Sequence, residues 1–300
     1  MKNPFNRNFH PAVGEAETLR PGLRRIVAPN PSAMTFTGTN TYLIGNHAIA
    51  VLDPGPDHDG HLDTIIETTR GSGGIEAIIV THSHIDHSAL APRLAAATGA
   101  PLYAHPGRPG AIESTDAEFG IDRQFRADIE LADGEILSCD EWTLECLWTP
   151  GHFTNHICIA WQEENVIFSG DHLMAWSTTV ISPPQGDMGD FRDSLQRLSQ
   201  RCESVYFPGH GGVIEDPHGM IAYQIDHRLE REEQILAELK IMPGSAGELA
   251  RRIYRELPLV LMPMAGRVVL AHLIDLEKRS MARRHPSGSE QIFTLPDGHN

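Results

Sequence analysis

One heptapeptide, Thr81-His82-Ser83-His84-Ile85-Asp86-His87, constrains this chain more than any other stretch. Ahead of it runs Ile75-Glu76-Ala77-Ile78-Ile79-Val80, a β-branched apolar run that predicts a buried strand. Behind it, Ala89 to Ala97 predicts a helix. The histidines therefore occupy a loop at the carboxyl end of a strand, where a rigid scaffold aims side chains into a cleft. His82 and His84, two apart on extended chain, point the same way and can grip one cation. Asp86 and His87 leave the following turn and can reach a second. Imidazole nitrogen and carboxylate oxygen suit zinc or another borderline first-row metal.

Three downstream segments repeat one design, a strand ending in a glycine turn that delivers one ligand-type side chain. Thr149-Pro150-Gly151-His152 follows a strand predicted from Trp142 to Trp148. Ser169-Gly170-Asp171 follows Asn165-Val166-Ile167-Phe168, and Phe207-Pro208-Gly209-His210-Gly211 follows Ser204-Val205-Tyr206.

In the order HxHxDH, GH, GD and PGHG, these four segments resemble the metallo-β-lactamase superfamily from about residue 24 to residue 215. The resemblance implies that His82, His84 and His152 hold a first metal and that Asp86, His87 and His210 hold a second. The Asp171 carboxylate would bridge them. It implies two Zn2+ per chain, although the same ligands accept Mn2+ or Fe. The fold it implies is α+β, a four-layer αββα sandwich, consistent with strands that have helices inserted between them. Ser88-Ala89 departs from the glycines that many members carry after the motif, which touches local backbone shape rather than metal binding. Relatives with glutamate in place of His84, or with cysteine in place of Asp171, are excluded, as are those with a large nuclease domain inserted between Asp171 and His210. What remains is a hydrolase similar to glyoxalase II or to the lactamase-β-like group.

The tail reads separately, so domains are expected at 1–220 and 221–300. Met220 to Leu239 places Ile221, Ile225, Leu229, Leu236 and Leu239 at helical spacing. Ser245 caps a second helix with Glu248 three residues on. Arg267 to Lys278 predicts a third, and Ala282 to His285 with Gln291 to Leu295 predict a hairpin. This small carboxyl-terminal domain looks like a winged helix. It is similar to that of the lactamase-β-like group, whose animal members are single-strand-specific endoribonucleases. Gly38-Thr39-Asn40-Thr41-Tyr42-Leu43 and His227-Arg228 extend the match. Residues 251–284 carry eight basic side chains against Glu256, Asp275 and Glu277, which read either as a phosphate-facing surface or, in preference, as the solvated charge of a packing domain.

Composition narrows the partners. A net charge of −16 disfavours nonspecific binding to nucleic acid or anionic membrane. The apolar stretch Leu257 to Leu273 is interrupted by Pro258, Pro263 and Arg267, so no membrane span is expected. Cys146 and Cys158 fall in predicted strands and read as small core residues. Met1 to Thr18 lacks the apolar core of an export signal, so a cytoplasmic location is expected.

Two cations about 3.5–4 Å apart would share a water and lower its pKa toward neutrality, making it a nucleophile at carbonyl carbon or phosphorus. Asp86 and Asp171 are the candidate catalytic carboxylates. His172 is a candidate proton donor to the leaving group, or else a support behind the ligands. Asn40, Tyr42 and Arg228 are candidate substrate contacts, weighed against turn chemistry, core packing and helix-surface charge. A small ester or thioester substrate is expected. RNA is the alternative substrate, and a nucleic-acid-binding winged-helix protein with a vestigial metal site is the alternative class. Oligomeric state is not read from the sequence.

Overall fold

Alternation along the strands sorts side chains into three apolar layers, and the layers set the architecture. The structure, a computed structural model, describes residues 3–108, 120–287 and 290–296. The first sheet has seven strands in chain order: β1 (Ala16–Arg20), β2 (Leu23–Val27), β3 (Asn40–Ile44), β4 (Ala48–Leu52), β5 (Gly74–Ile79), β6 (Leu102–Ala104) and β7 (Ile129–Glu130). Pairing is antiparallel as far as β4 and parallel from β4 to β7. The second sheet contains β8 (Ile136–Ser138), β9 (Thr143–Trp148), β10 (Ile157–Trp161), β11 (Val166–Gly170) and β12 (Val205–Pro208). Here β8 to β11 pair antiparallel, and β12 adds parallel to β11.

Tyr42, Ile44, Leu52, Ile79, Cys146, Ile157, Ile159, Phe168 and Phe207 fill the layer between the sheets. Their strand neighbours Leu43, Val51, Ile78 and Val80 face outward, onto α1 (Asp59–Thr69) and onto α3 (Ala91–Thr98), which follows the single turn α2 (Ile85–Ser88). On the other side Leu147, Cys158, Ala160, Ile167 and Tyr206 meet α4 (Met188–Leu198) and the start of α5 (Pro217–Ile241). Two sheets face to face with helices outside both give the expected αββα sandwich. Cys146 and Cys158 are buried free thiols on opposite faces of the second sheet.

The opening strand β1 is an edge strand with mostly exposed residues, which is why it carries no apolar signal in the sequence. After α5 come β13 (Gly244–Ser245), α6 (Ala246–Ile253), α7 (Met262–Lys278), β14 (Arg283–Ser287) and β15 (Glu290–Thr294). The three strands form a small sheet in the order β13-β15-β14, the winged-helix pattern. Ser245 and Glu248 make the expected reciprocal cap of α6. α5 serves two cores: Met220 and Ile221 pack with the second sheet, whereas Ile235 and Leu239 pack with Leu249, Val269, Leu273 and Phe293. The boundary expected at 220/221 therefore falls inside a continuous helix.

α7 begins earlier than its periodicity suggested. Pro263 lies in its first turn, where the missing N–H has no intrahelical partner to lose. As a result Leu259–Lys278 forms one helical stretch apolar and long enough to cross a membrane, contrary to the expectation of a broken one. Its Ala265, Val269, Leu273 and Leu276 are buried in the carboxyl-terminal core.

His272 of α7 is also buried, on the side facing α4 and α5, and neither ring nitrogen has a protein hydrogen-bond partner. Burial, with Arg228 and Arg231 adding to it, holds its pKa well below the ordinary value. The unfolded chain thus binds a proton near pH 6.5 that the folded chain refuses, and stability falls as pH drops through that value. His272→Leu is expected to keep or raise the melting temperature at pH 7 and to flatten the decline between pH 6.5 and 5. Melting curves across that range check it; an unchanged acid slope assigns the proton uptake elsewhere.

Candidate metal centre

The directions of the strands bring the four motifs to one edge of the sandwich. β4 and β5 are parallel neighbours, so Asp53 and the loop from Thr81 to His87 leave the same end of the first sheet. β9 runs alongside β11 in direction, and β12 is parallel to β11, so His152, Asp171 and His210 leave one end of the second. Five imidazoles and two carboxylates meet there in overlapping triads: His82 with His84 and His152, His82 with His87 and Asp171, and Asp86 with His87 and His210. Every sequence-expected metal ligand is in this cluster.

His82 Nε2 is 2.8 Å from His84 Nδ1, which is 3.1 Å from His152 Nε2. His87 and His210 face each other through Nε2 at 3.3 Å. The Asp86 carboxylate lies 3.3 Å from His210 and 3.7 Å from His87. Asp171 reaches both groups, with Oδ2 3.7 Å from His152 and 3.3 Å from His210, and Oδ1 3.5 Å from His87. Ligand atoms about 2.0–2.2 Å from a tetrahedral cation lie about 3.3–3.6 Å from one another. Half of these separations have that size, and the others fall between 2.8 and 3.7 Å.

Four of the five rings have Nδ1 beside a protein oxygen, which turns Nε2 toward the cluster. His82 Nδ1 donates to Thr81 Oγ1 (3.0 Å), His87 Nδ1 to Asp53 Oδ2 (2.9 Å), His152 Nδ1 to Val180 O (2.7 Å) and His210 Nδ1 to Gly38 O (3.2 Å). His84 is reversed and presents Nδ1. Asp53 is central to this shell. Its carboxylate also accepts the Thr81 N–H at 2.7 Å and the Thr81 hydroxyl at 2.8 Å, so it orients His87 directly and His82 through Thr81. It adopts φ 50, a left-handed conformation that Asp tolerates better than most residues.

The electrostatics ask for positive charge. Burial, and then the neighbouring rings, hold His82 well below its ordinary pKa, and burial takes His84 down to about 3. At the other end burial is outweighed by Asp171, which with Asp53 and Asp86 raises His87 well above the ordinary value. There Asp171 and Asp86 likewise bring His210 up to about 9. Asp171 Oδ1 is buried with no hydrogen-bond donor. Buried carboxylates facing imidazole nitrogens are stabilised by protons or by cations, and the donor set fits metal ions.

The other expected site residues are placed differently. Asn40 and Tyr42 are buried: Asn40 Nδ2 donates to Pro208 O and Gly211 O, and the Tyr42 hydroxyl donates to Pro208 O. They clamp the loop carrying His210 rather than face a substrate. His172 is fully buried with its ring packed on Phe191, neither nitrogen is paired, and burial brings its pKa down to about 3. That setting gives it no path to a leaving group. Arg228 is also buried, donating to Thr179 O rather than lining a cleft. Ser88 donates to His84 O and to Asp122, tying the motif to the chain after Gly120.

Two contributors carried little sequence signal. Asp53 is, in the sequence, no more than the residue that ends the apolar run Ala48–Leu52. His156 accepts the Asp171 backbone N–H at Nε2 (3.1 Å) and pairs with Thr149 through Nδ1 (3.0 Å).

Comparison with known proteins now decides the family. Residues 34–210 match the Metallo-beta-lactamase superfamily, more than half of the chain. The chain belongs to that superfamily. Residues 245–290 match the beta-lactamase associated winged helix domain. A Drosophila melanogaster beta-lactamase-like protein 2 homolog is 33% identical over 280 residues, covering 90% of this chain and 92% of that one. An atrochrysone carboxyl ACP thioesterase of Aspergillus fumigatus is 28% identical over 232 residues, 77% of this chain and 69% of that one. Among solved structures, a beta-lactamase domain protein from Burkholderia ambifaria superposes with a TM-score of 0.81 at 19% identity, over 96% of each chain. A second protein, solved in a di-iron-bound form, gives 0.53 at 26% identity over 67% of this chain and 97% of its own. The expected family, sandwich and winged helix are borne out. The protein is a metallo-beta-lactamase superfamily hydrolase with a His/Asp cluster suited to metal.

Two substitutions probe the cluster. Asp53→Asn should weaken metal affinity about 10–100-fold by releasing the Nδ1 proton of His87 and loosening Thr81. A Cβ on Gly209 would lie 2.6 Å from Asp171 Oδ1 and 2.8 Å from His87 Cε1. Gly209→Ala should therefore lower metal content while leaving the circular dichroism spectrum unchanged. Chelator competition and elemental analysis read both; full metal loading in either variant contradicts the assigned geometry.

Proposed function

We propose that this protein is a dinuclear metal-dependent hydrolase of a thioester or a related small ester. One observation carries the proposal: two ligand triads packed side by side, with the two oxygens of Asp171 turned toward both. His82, His84 and His152 would hold one ion, Asp86, His87 and His210 the other, and Asp171 both. When bound, the ions supply a water activated near neutral pH and Lewis-acid polarisation of the attacked carbonyl. Zinc fits the ligands, as do manganese and iron.

The chain's own groups do the rest. Nδ1 contacts to Thr81, Asp53, Val180 and Gly38 hold four rings in the orientation and tautomer that leave Nε2 to the centre. Asp86 has the most open side chain of the two carboxylates, 27% exposed against 10% for Asp171. This makes Asp86 the group to orient the attacking water or carry its proton. His87 is sealed from solvent, which keeps competing water off its lone pairs.

Two observations support a small acyl substrate over RNA. Fungal relatives at 28–31% identity are ACP thioesterases, enzymes of thioester cleavage. In addition, the basic residues of the winged helix are largely occupied. Arg284 pairs with Glu277, Lys278 with Asp187, Arg279 with Glu232 and Asp275, Arg252 with Glu238, and Arg267 donates to Ser182. Five of the eight cations in that stretch thus already have partners within the chain, which leaves fewer of them to meet a phosphate backbone.

The test is a parallel assay of zinc-, manganese- and iron-loaded protein against an acyl thioester, a phosphodiester and single-stranded RNA. Thioester hydrolysis is expected, abolished by Asp171→Asn. Asp86→Asn should lower kcat about 10²–10⁴-fold with little change in KM. RNA cleavage that disappears in Asp171→Asn and weakens steeply with salt would instead decide for a nuclease.

A further inference from the structure

Arg228 stands on α5, the helix shared by both cores, with only 7% of its surface exposed. Among the described residues no carboxylate pairs with it. Burying a cation without a counter-charge is unfavourable unless its hydrogen bonds are well made, and a natural sequence has an apolar alternative at any core position. What the side chain does contact is therefore informative.

Its Nη2 donates to Thr179 O at 2.5 Å, and its guanidinium lies over the Phe191 ring, 5.2 Å from the centroid. Both contacts lead to the metal centre. The Thr179 hydroxyl, fully buried, donates to the backbone oxygen of Asp171 at 2.8 Å and to that of His172 at 3.0 Å. The next residue, Val180, gives the carbonyl that accepts the Nδ1 proton of His152. Phe191 in turn closes on the residue before His152. Gly151 has φ +135, and a Cβ there would meet Phe191 Cα at 2.3 Å. Asp171 and His152 come from different motifs and different strand ends of the second sheet, yet both rest on the pair Thr179-Val180.

We propose that Arg228 is a positioning residue for the metal centre: it clamps the Thr179-Val180 segment from the inter-core helix and so sets the Asp171 main chain and the His152 ring. The inference rests on the metallohydrolase reading. It gives Arg228 a role away from substrate, and it makes the placement of α5 part of what defines the ligand geometry.

Three full-length variants test it: Arg228→Met, Arg228→Lys and Thr179→Val. Thr179→Val leaves the carbonyl that Arg228 uses but removes the hydroxyl that holds Asp171. The readouts are Zn2+ affinity by chelator competition, the absorption spectrum of the Co2+-substituted protein as a reporter of ligand geometry, and melting of the metal-free chain. Arg228→Met and Thr179→Val should each weaken Zn2+ binding about 10–100-fold and change the Co2+ spectrum. Arg228→Lys, which still donates to the carbonyl, should recover most of the affinity. If Arg228→Met does not fold, Thr179→Val and Arg228→Lys carry the result. Parental Zn2+ affinity and Co2+ spectrum in Thr179→Val and in the folded Arg228 variants, even with a lowered metal-free melting temperature, would reduce Arg228 to a packing residue. A parent chain that takes up no metal overturns the hydrolase reading itself, and this inference with it.

Discussion

The carboxylate of Asp53 joins the ends of two adjacent parallel strands and fixes two histidine rings. One oxygen takes the Thr81 N–H, where β5 gives way to the motif loop; the other takes the Thr81 hydroxyl and the His87 ring. A charged acceptor with three donors is a strong, directional joint in a buried setting. The rest of the centre is arranged around the orientation it imposes. His82 follows Thr81, α2 carries Asp86 and His87 together, and the second sheet brings His152, Asp171 and His210 against them.

Around that joint the protein keeps an electron-rich pocket inside an apolar sandwich. Buried carboxylates at Asp53 and Asp171, close to imidazoles that burial holds neutral on one side, are costly without compensating positive charge. The fold answers with hydrogen bonds for nearly every outward-facing nitrogen of the cluster and with close glycines such as Gly209, which let the backbone approach where no side chain fits. Precision at the centre comes from several elements pressing on it, more than from any one loop.

The ligands were legible because each is signalled locally. HxHxDH after a β-branched run, and three glycine turns after strands, name their own residues. The layers were legible from period-two patterns once the family had supplied the arrangement. What supports the ligands was much less visible. Asp53 acts on a residue 28 positions away, and sequence shows it only as the end of a strand. Gly38 and Val180 contribute through main-chain carbonyls, which have no side-chain signature at all. Asn40, Tyr42 and Arg228 are residue types that would suit a cleft equally well, and only burial shows that they face inward. Pro263 read as a break because the helix start could not be placed to within a turn.

α5 gives one end to each hydrophobic core without a linker between them. Neither core can lose its share of that helix without exposing apolar surface in the other. The chain should therefore behave as a single cooperative folding unit, and cutting it at the apparent junction would leave two fragments each missing a wall.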